Sequence, residues 1–187
     1  MRNDDIALAQ RIAGGDKGAM KQVYDLHSGP LFHFVKNWLA DVHDASDLVH
    51  ETMLDVWQKA DKFQGRSSLK SWIFSIARNK SIDRNRKGAR MTYTDETHDV
   101  EDSEISPLEA VELSQDAAAL KACVSRLSST HRRMIHLAFY EDLSYKEIAV
   151  IEDCPIGTVK TRILHAKKLL QRDIANYDML PARKRSK

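Results

Sequence analysis

Apolar residues recur about every 3.6 positions along most of this chain, the spacing that gives an α-helix one buried face. The pattern predicts four helices in the first 90 residues. They are expected at residues 4–13, at residues 17–39, after Asp44 as far as Ala60, and from Leu69 onward. Gly29 and Pro30 should bend or split the second of these, because proline cannot donate a helical hydrogen bond. The four helices are long enough to bury a common core.

Helical periodicity stops at residues 91–106, a polar and acidic segment, and resumes beyond Pro107. Further helices are predicted at residues 108–127, 130–140, 144–152 and 155–175. The aperiodic segment is typical of a linker, which makes it the natural domain boundary. The predicted fold class is therefore all-α, with two small helical domains joined by a flexible acidic linker and a helix-turn-helix in the second domain. The first domain is predicted to span residues 1–92 and the linker residues 93–107. The second domain is predicted to span residues 108–177, followed by a basic tail at residues 178–187.

Composition excludes several classes of protein. The 187 residues include only 7 glycines and 4 prolines, too few for the turns of an all-β domain. No run approaches the roughly 18 apolar residues of a membrane helix, and the chain begins with charged residues where a signal peptide would be apolar. We therefore expect a cytoplasmic protein with no membrane contact of its own.

The net charge of +2 conceals an uneven distribution. Residues 1–61 carry a net charge of −4, residues 62–90 carry +8, residues 91–120 carry −9, and residues 121–187 carry +7. Two basic blocks separated by an acidic one indicate two surfaces that face a polyanion. The alternative is a set of solvated helix faces, which would scatter the two signs more evenly.

Residues 143–168 form the most specific local motif, two short helices joined by a tight turn. Ser144 followed by Glu147 is a capping box that starts the first helix. In the second helix Val159, Ile163, Ala166 and Leu170 share one face, so the other face should be exposed. The residues expected there suit hydrogen bonding and methyl contacts in the DNA major groove: Lys160, Thr161, Leu164, His165 and Lys168.

Two further helices carry patterned polar faces. In residues 47–57, Asp47, His50, Glu51 and Leu54 share one face, which is available either to a partner helix or to solvent. Residues 71–87 combine a buried apolar face with a largely cationic surface, for which phosphates are the obvious target. That surface comprises Arg78, Asn79, Lys80, Arg84, Arg86 and Lys87.

Enzyme and metal-binding interpretations find little support. The eight histidines show no ligand spacing such as His-Glu-x-x-His, and Cys123 and Cys154 lack partners at zinc-ligand spacing. No pair of carboxylates stands out as catalytic. We expect neither catalysis nor a cofactor or metal.

Three segments in this order, residues 47–57, 62–79 and 143–162, closely resemble the sigma-70 family of RNA polymerase sigma factors. The short length and two-domain layout resemble its extracytoplasmic-function (ECF) group. The resemblance covers roughly residues 5–90 and 107–175. It implies a protein that binds core RNA polymerase, through the β′ clamp helices and the β flap, and directs it to promoter DNA. It also implies an anti-sigma factor that masks the polymerase-binding faces until a signal arrives.

The resemblance also assigns residues to roles. Those implied to contact polymerase are Asp47, Leu48, His50, Glu51, Leu54 and Asp55, with His50 standing where most members have glutamine. Those implied to take a flipped base and the strand of the minus-ten element are Phe63, Gln64, Arg66, Ser67, Ser68, Arg78, Asn79, Lys80, Arg84, Arg86 and Lys87. Those implied to read the minus-35 element are Ser144, Tyr145, Thr158, Lys160, Thr161, Arg162, Leu164, His165 and Lys168.

Three alternatives stay open at this point. The chain could be a transcriptional regulator with the same helix-turn-helix and a sensory N-terminal domain, although residues 47–90 show no phosphoacceptor strand pattern. It could instead be a helical adaptor whose basic faces bind acidic protein. The acidic linker, finally, either imitates nucleic acid near the polymerase active site or is an inert tether.

Overall fold

The computed structural model describes residues 2–39, 41–92 and 115–178, with side chains for 3–39, 41–86 and 120–175. The described residues form helices joined by loops, with no strand, which confirms the predicted all-α class. The predicted linker 93–107, residues 179–187 of the predicted tail and the side chain of Lys87 lie outside the described residues.

The described part of the N-terminal domain consists of four helices and one short turn of 3-10 helix. These are α1 (Arg2–Ala13), α2 (Lys17–Lys36), α3 (Val42–Lys59), the 3-10 turn (Ala60–Lys62) and α4 (Leu69–Thr92). The described part of the C-terminal domain contains α5 (Gln115–Ser125), α6 (Ser129–Ile135), a π-helical turn (His136–Tyr140), α7 (Tyr145–Ile151) and α8 (Ile156–Asp178). The π turn replaces the end of the single helix predicted over residues 130–140.

Side-chain caps set the starts of several helices. Asp16 accepts a hydrogen bond from the backbone of Ala19 at the start of α2, and Ser128 caps α6 in the same way. Asp41 caps α3 by accepting from the backbone nitrogen of Asp44 at 2.8 Å. The predicted start of α3 after Asp44 is therefore too late.

Helix α2 is continuous through Pro30, so the predicted split at this point does not occur. A proline at this position leaves the carbonyl of Leu26 without its helical donor. Leu26 is 64% exposed, so that carbonyl lies on the side of α2 that faces solvent, where water can satisfy it. The buried side of α2 holds Leu31, Phe34 and Val35 in the core.

One hydrophobic cluster extends through both domains. In the N-terminal domain it includes Phe34 and Phe74, whose rings lie 5.2 Å apart and are fully buried. In the C-terminal domain it includes Leu137, Ile148 and Ile163. The two domains thus share apolar contacts, an arrangement that the sequence pattern does not predict.

Candidate nucleic-acid interface

The outer face of α3 presents most of the residues predicted to bind polymerase. Asp47, His50 and Glu51 are exposed, Leu54 is 54% exposed and Asp55 is half-buried. Leu48 differs, because its side chain is fully buried in the core. A side chain without exposed surface cannot contact a partner in this arrangement, so Leu48 contributes to core packing and not to this face.

Two contacts orient His50 on α3. Its Nε2 lies 3.1 Å from the hydroxyl of Tyr24 on α2, and the two rings stack with centroids 6.3 Å apart. The ring is therefore anchored to Tyr24 of α2.

The carboxylates of α3 are paired with cations of α4. Arg84 donates to the carboxylate of Glu51 at 2.7 Å and to the backbone oxygen of Asp44 at 2.9 Å. Lys80 lies 3.1 Å from the carboxylate of Asp55 and 3.8 Å from that of Glu51. In the isolated chain, the charges of residues predicted to bind polymerase are thus neutralised by the charges of residues predicted to bind the DNA strand.

Asp55 shows the electrostatic effect of this pairing. Partial burial on its own would raise the pKa of its carboxyl group, but hydrogen bonds from Lys80 and Lys59 lower the pKa below its ordinary value. The carboxylate therefore stays ionised throughout the neutral range.

The loop between the 3-10 turn and α4 holds the residues predicted to take a flipped base. Gln64 and Arg66 are exposed, and Ser67 is half-buried. The ring of Phe63 packs 5.4 Å from that of Trp72 on α4. Gly65 has a φ of 65°, and an added Cβ would lie 2.6 Å from the Cδ1 atom of Ile6 on α1. The loop therefore follows a path that only glycine allows, close against α1.

The cationic face of α4 is partly occupied. Asn79 and Arg86 are exposed, whereas Lys80 and Arg84 are engaged by α3. Arg78 is directed toward the C-terminal domain, where its Nη2 donates to the backbone oxygen of Glu152 at 3.0 Å. Of these residues, Asn79 and Arg86 are the most open to solvent.

Helices α7 and α8 form the predicted helix-turn-helix. The capping box is complete: the side chain of Ser144 accepts from the backbone of Glu147, and the Glu147 carboxylate accepts from the backbone of Ser144. Tyr145 is 37% exposed on α7, while Thr158 and Arg162 on α8 are half-buried.

Burial along α8 follows the predicted helical spacing. Val159, Ile163 and Ala166 are buried against the rest of the domain. The opposite face exposes Lys160, Thr161, Leu164, His165 and Lys168. The side chain of Thr161 donates to the backbone oxygen of Gly157 at 3.0 Å, which fixes its rotamer. This face is a continuous, exposed row of hydrogen-bonding groups with one leucine among them.

Sequence reasoning missed the residues that join the two domains. Lys70 and Ser71 on α4 contact Glu141 and Glu147 of the C-terminal domain. The only one of these given a role from the sequence was Glu147, as a helix cap. No periodicity signals a contact between positions more than 70 residues apart in sequence, so no local pattern could have found it.

Two features are absent from residues 2–39, 41–92 and 115–178. No helix in these ranges is long and apolar enough to cross a membrane. The same residues contain no group of three or more histidine, cysteine, aspartate or glutamate side chains placed to hold a metal ion.

Both domains match known protein families. Residues 23–91 match Sigma-70 region 2, and residues 117–170 match Sigma-70, region 4. The ECF RNA polymerase sigma factor RpoE of Cereibacter sphaeroides is 32% identical over 167 residues, which cover 87% of this chain and 90% of that protein. The ECF RNA polymerase sigma factor SigW of Bacillus subtilis is 26% identical over 88% of this chain and 94% of its own length.

A solved structure extends the comparison to three dimensions. It is the sigma factor RpoE in complex with the anti-sigma factor NepR from Bartonella quintana. The two chains superpose with a TM-score of 0.70 at 32% identity, over 83% of this chain and 96% of the other.

Proposed function

Because the chain belongs to the ECF group of the sigma-70 family, we propose that it uses three separate surfaces. One binds polymerase, one binds the melted minus-ten strand, and one binds the minus-35 duplex. The chain binds core RNA polymerase and directs promoter-specific transcription initiation, and members of this family are not themselves enzymes. A sensory regulator and a helical adaptor are both excluded, since residues 23–91 match Sigma-70 region 2.

The proposed polymerase surface is the outer face of α3. Four of its residues are exposed: Asp47, His50, Glu51 and Leu54. Asp55 lies at its edge. A strip of carboxylates beside an exposed leucine suits a partner helix that carries basic and apolar side chains. The clamp helices of the β′ subunit are the proposed partner, with the β flap as a second contact.

The proposed strand surface is the loop 63–68 together with the exposed side of α4. Extracting a base from the DNA stack costs a few kcal/mol, which pocket and backbone contacts must offset. Phe63 and Trp72 supply aromatic surface at the loop, and Asn79 and Arg86 supply exposed polar groups on α4. Aromatic groups beside cations are the combination that binds single strands.

The proposed duplex surface is the exposed row of α8. Lysine can donate to guanine, threonine can donate or accept, and leucine can contact the methyl group of thymine. His165 continues the row one turn beyond Thr161. These residues face outward from a helix-turn-helix whose first helix, α7, begins with a complete capping box, which supports minus-35 recognition in the major groove.

We further infer that an anti-sigma factor holds this chain inactive until a stress or environmental signal arrives. The support is the B. quintana RpoE structure, in which the similar chain is bound to the anti-sigma factor NepR. The chain would work in the cytoplasm, where polymerase and promoter DNA are found.

The observation that carries the proposal is the exposed row on α8, set directly over the buried residues Val159, Ile163 and Ala166. The test is transcription in vitro with purified core polymerase and promoter templates from the same genome. We expect a transcript of defined length only when the chain, the polymerase and an intact upstream region are all present. A known sigma factor on its own promoter is the control. If that control gives transcripts and this chain gives none on any genomic template, the proposal is wrong.

A further inference from the structure

The loop proposed to take the flipped base, residues 63–68, packs against α1 as well as against the helices next to it in sequence. Its residues form neither helix nor strand. Such a loop has to be held in shape by its surroundings, because ordering it at the moment of binding would cost conformational entropy. The structure shows supporting contacts at its start, its middle and its end.

The start of the loop is fixed by the 3-10 turn and by aromatic packing. The backbone nitrogen of Phe63 donates to the carbonyl oxygen of Ala60 at 3.2 Å. The centroid of the Phe63 ring lies 5.4 Å from that of Trp72 on α4. The 3-10 turn itself packs against α1, so α1 lies beside the point where the loop begins.

The middle of the loop lies against Ile6 of α1. A Cβ atom added to Gly65 would lie 2.6 Å from Cδ1 and 2.9 Å from Cγ1 of Ile6, closer than carbon atoms approach without overlap. The backbone of Gly65 is therefore in contact with this side chain. Gln64 and Arg66, on either side of Gly65, are exposed. The loop thus has α1 on one side and solvent on the other.

The end of the loop is held by Asp5. Its Oδ2 atom accepts a hydrogen bond at 2.9 Å from the backbone nitrogen of Leu69, the first residue of α4. The first N–H groups of a helix lack partners within the helix, and a carboxylate also interacts favourably with the positive end of the helix dipole. The hydroxyl oxygen of Ser68 supplies a second acceptor, 3.2 Å from the backbone nitrogen of Ser71. Asp5 therefore completes the cap of a helix that begins 64 residues later in the chain.

Helix α1 is itself anchored in the N-terminal core. Ala9 and Ile12 are 2% and 1% exposed and belong to the hydrophobic cluster. Asp5 and Ile6 lie in the adjoining part of the same helix, so their positions are set by this packing. Helix α1 lies outside residues 23–91, the segment that matches Sigma-70 region 2.

We propose that α1 is a positioning element for base capture, in which Asp5 and Ile6 hold the loop 63–68 in the shape that receives the flipped base. This inference rests on the proposed function, which assigns that loop to the minus-ten strand. Both residues act through the backbone of the loop and not by touching DNA. Without their support the exposed side chains of the loop are still present, but part of the energy gained from the captured base is spent on ordering them.

The test measures how much the captured base contributes to the affinity of holoenzyme for a single strand. Holoenzyme is assembled from purified core polymerase and the full chain. The probe is an oligonucleotide with the non-template minus-ten region of a promoter that this chain transcribes, and a series of probes carries an abasic site at each successive position. The base ratio is the affinity for the intact probe divided by that for an abasic probe. At the captured position we expect a base ratio of at least about ten for the wild-type chain, because the contacts of that base are lost.

Asp5→Ala removes the acceptor at the start of α4 and should lower this base ratio at least about three-fold. Asp5→Asn keeps an acceptor oxygen without the charge, so its base ratio should stay within about two-fold of the wild-type value. Asp41→Ala is the matched control. It removes the aspartate that caps α3, at the opposite end of that helix from the loop, and should leave the base ratio unchanged. Each variant loses one negative charge, which affects both probes alike and cancels in the ratio.

A second pair of variants tests the middle of the loop independently of Asp5. Ile6→Ala removes the Cγ1 and Cδ1 atoms that lie against Gly65, and it should lower the base ratio at least about two-fold. Leu8→Ala is its control, because Leu8 is also a partly buried aliphatic residue of α1 but packs against the core from another face of the helix. Leu8→Ala should leave the base ratio unchanged.

The outcomes separate this inference from the proposed function. If Asp5→Ala and Ile6→Ala are folded by thermal unfolding and keep the wild-type base ratio, α1 only stabilises the domain and the inference is wrong. Equal reductions in Asp5→Ala and Asp41→Ala overturn it as well, because the loss of any helix cap would then have the same effect. A wild-type holoenzyme that transcribes but is insensitive to every abasic site would overturn the role of the loop together with that of α1. Absence of any transcript would instead count against the proposed function.

Discussion

Arg84 on α4 and Glu51 on α3 form an ion pair, with Nη2 of the arginine 2.7 Å from Oε1 of the glutamate. Both side chains are partly exposed, at 29% and 48%. An exposed pair of this kind contributes only about 0.2–1 kcal/mol, so a competing charge can displace either member. The proposed polymerase surface and the proposed strand surface are therefore coupled. A partner that binds the charged residue on one surface has to displace the ion pair that joins it to the other surface.

Replacing Glu51 with glutamine should have opposite effects on the affinity for polymerase and on the affinity for single-stranded DNA. Polymerase binding should weaken, by about ten-fold, because a charged contact at a protein interface is lost. Binding of the free chain to a single-stranded oligonucleotide should strengthen about two-fold, since Arg84 and Lys80 lose a competing carboxylate. Fluorescence anisotropy with labelled polymerase and labelled DNA measures both.

Asp47→Asn is the matched control for Glu51→Gln, because it also removes one negative charge from the same face of α3. Asp47 is exposed, and no ion pair to α4 is found for it among the described contacts. It should weaken polymerase binding without strengthening single-strand binding. An equal gain in both variants would show that net charge, and not the pair with Arg84, sets single-strand affinity.

Replacing Lys160 and His165 together with alanine should weaken binding to promoter duplex while leaving polymerase binding unchanged. Both side chains lie on the exposed face of α8, and each base-edge contact contributes about 1–3 kcal/mol. We therefore expect a loss of at least ten-fold in a gel-shift titration at fixed salt. Arg172→Ala, which removes a charge from the far end of α8, should cost much less. Loss of polymerase binding along with duplex binding would contradict the proposed separation of surfaces.

Features set by local chemistry were predictable from the sequence. The buried and exposed faces of α8 follow from residue spacing alone, and the capping box of Ser144 and Glu147 follows from a three-residue interval. Helix α2 shows a limit even at this level. Pro30 is a local signal for a break, but the packing of Leu31, Phe34 and Val35 outweighs the one missing hydrogen bond.

Features set by tertiary packing were not predictable. Ser68 and Glu147 are separated by 79 residues, and neither has a pattern that names the other as its partner. Lys80 and Arg84 are cations suited to phosphate, but only the fold places them beside the carboxylates of α3.

Gly65→Ala should damage the loop that is proposed to take the flipped base. The residue has a φ of 65°, which costs an alanine about 1 kcal/mol, and the new Cβ would collide with Ile6. Gly15→Ala is the matched control, since Gly15 has a φ of 84° but no atom within 4 Å of the added Cβ. Urea unfolding should show a loss of stability in both variants. Only Gly65→Ala should also weaken single-strand binding; equal behaviour of the two would mean that contact with Ile6 does not position the loop.

Stability should fall as pH drops below about 6.5, the ordinary pKa of histidine, because of His27. Burial, reinforced by Lys70 and opposed by Glu141 and Asp5, lowers the pKa of His27 in the folded chain. The unfolded chain then binds the proton first, so protons favour unfolding as pH falls from about 6.5 toward the lowered value. Urea unfolding at several pH values should give a slope contributed by His27 of no more than about 1.4 kcal/mol per pH unit. His27→Gln should reduce that slope, whereas His33→Gln, at an exposed position on the same helix, should leave it unchanged. If His27→Gln leaves the pH dependence of stability unchanged, a group other than His27 takes up the proton.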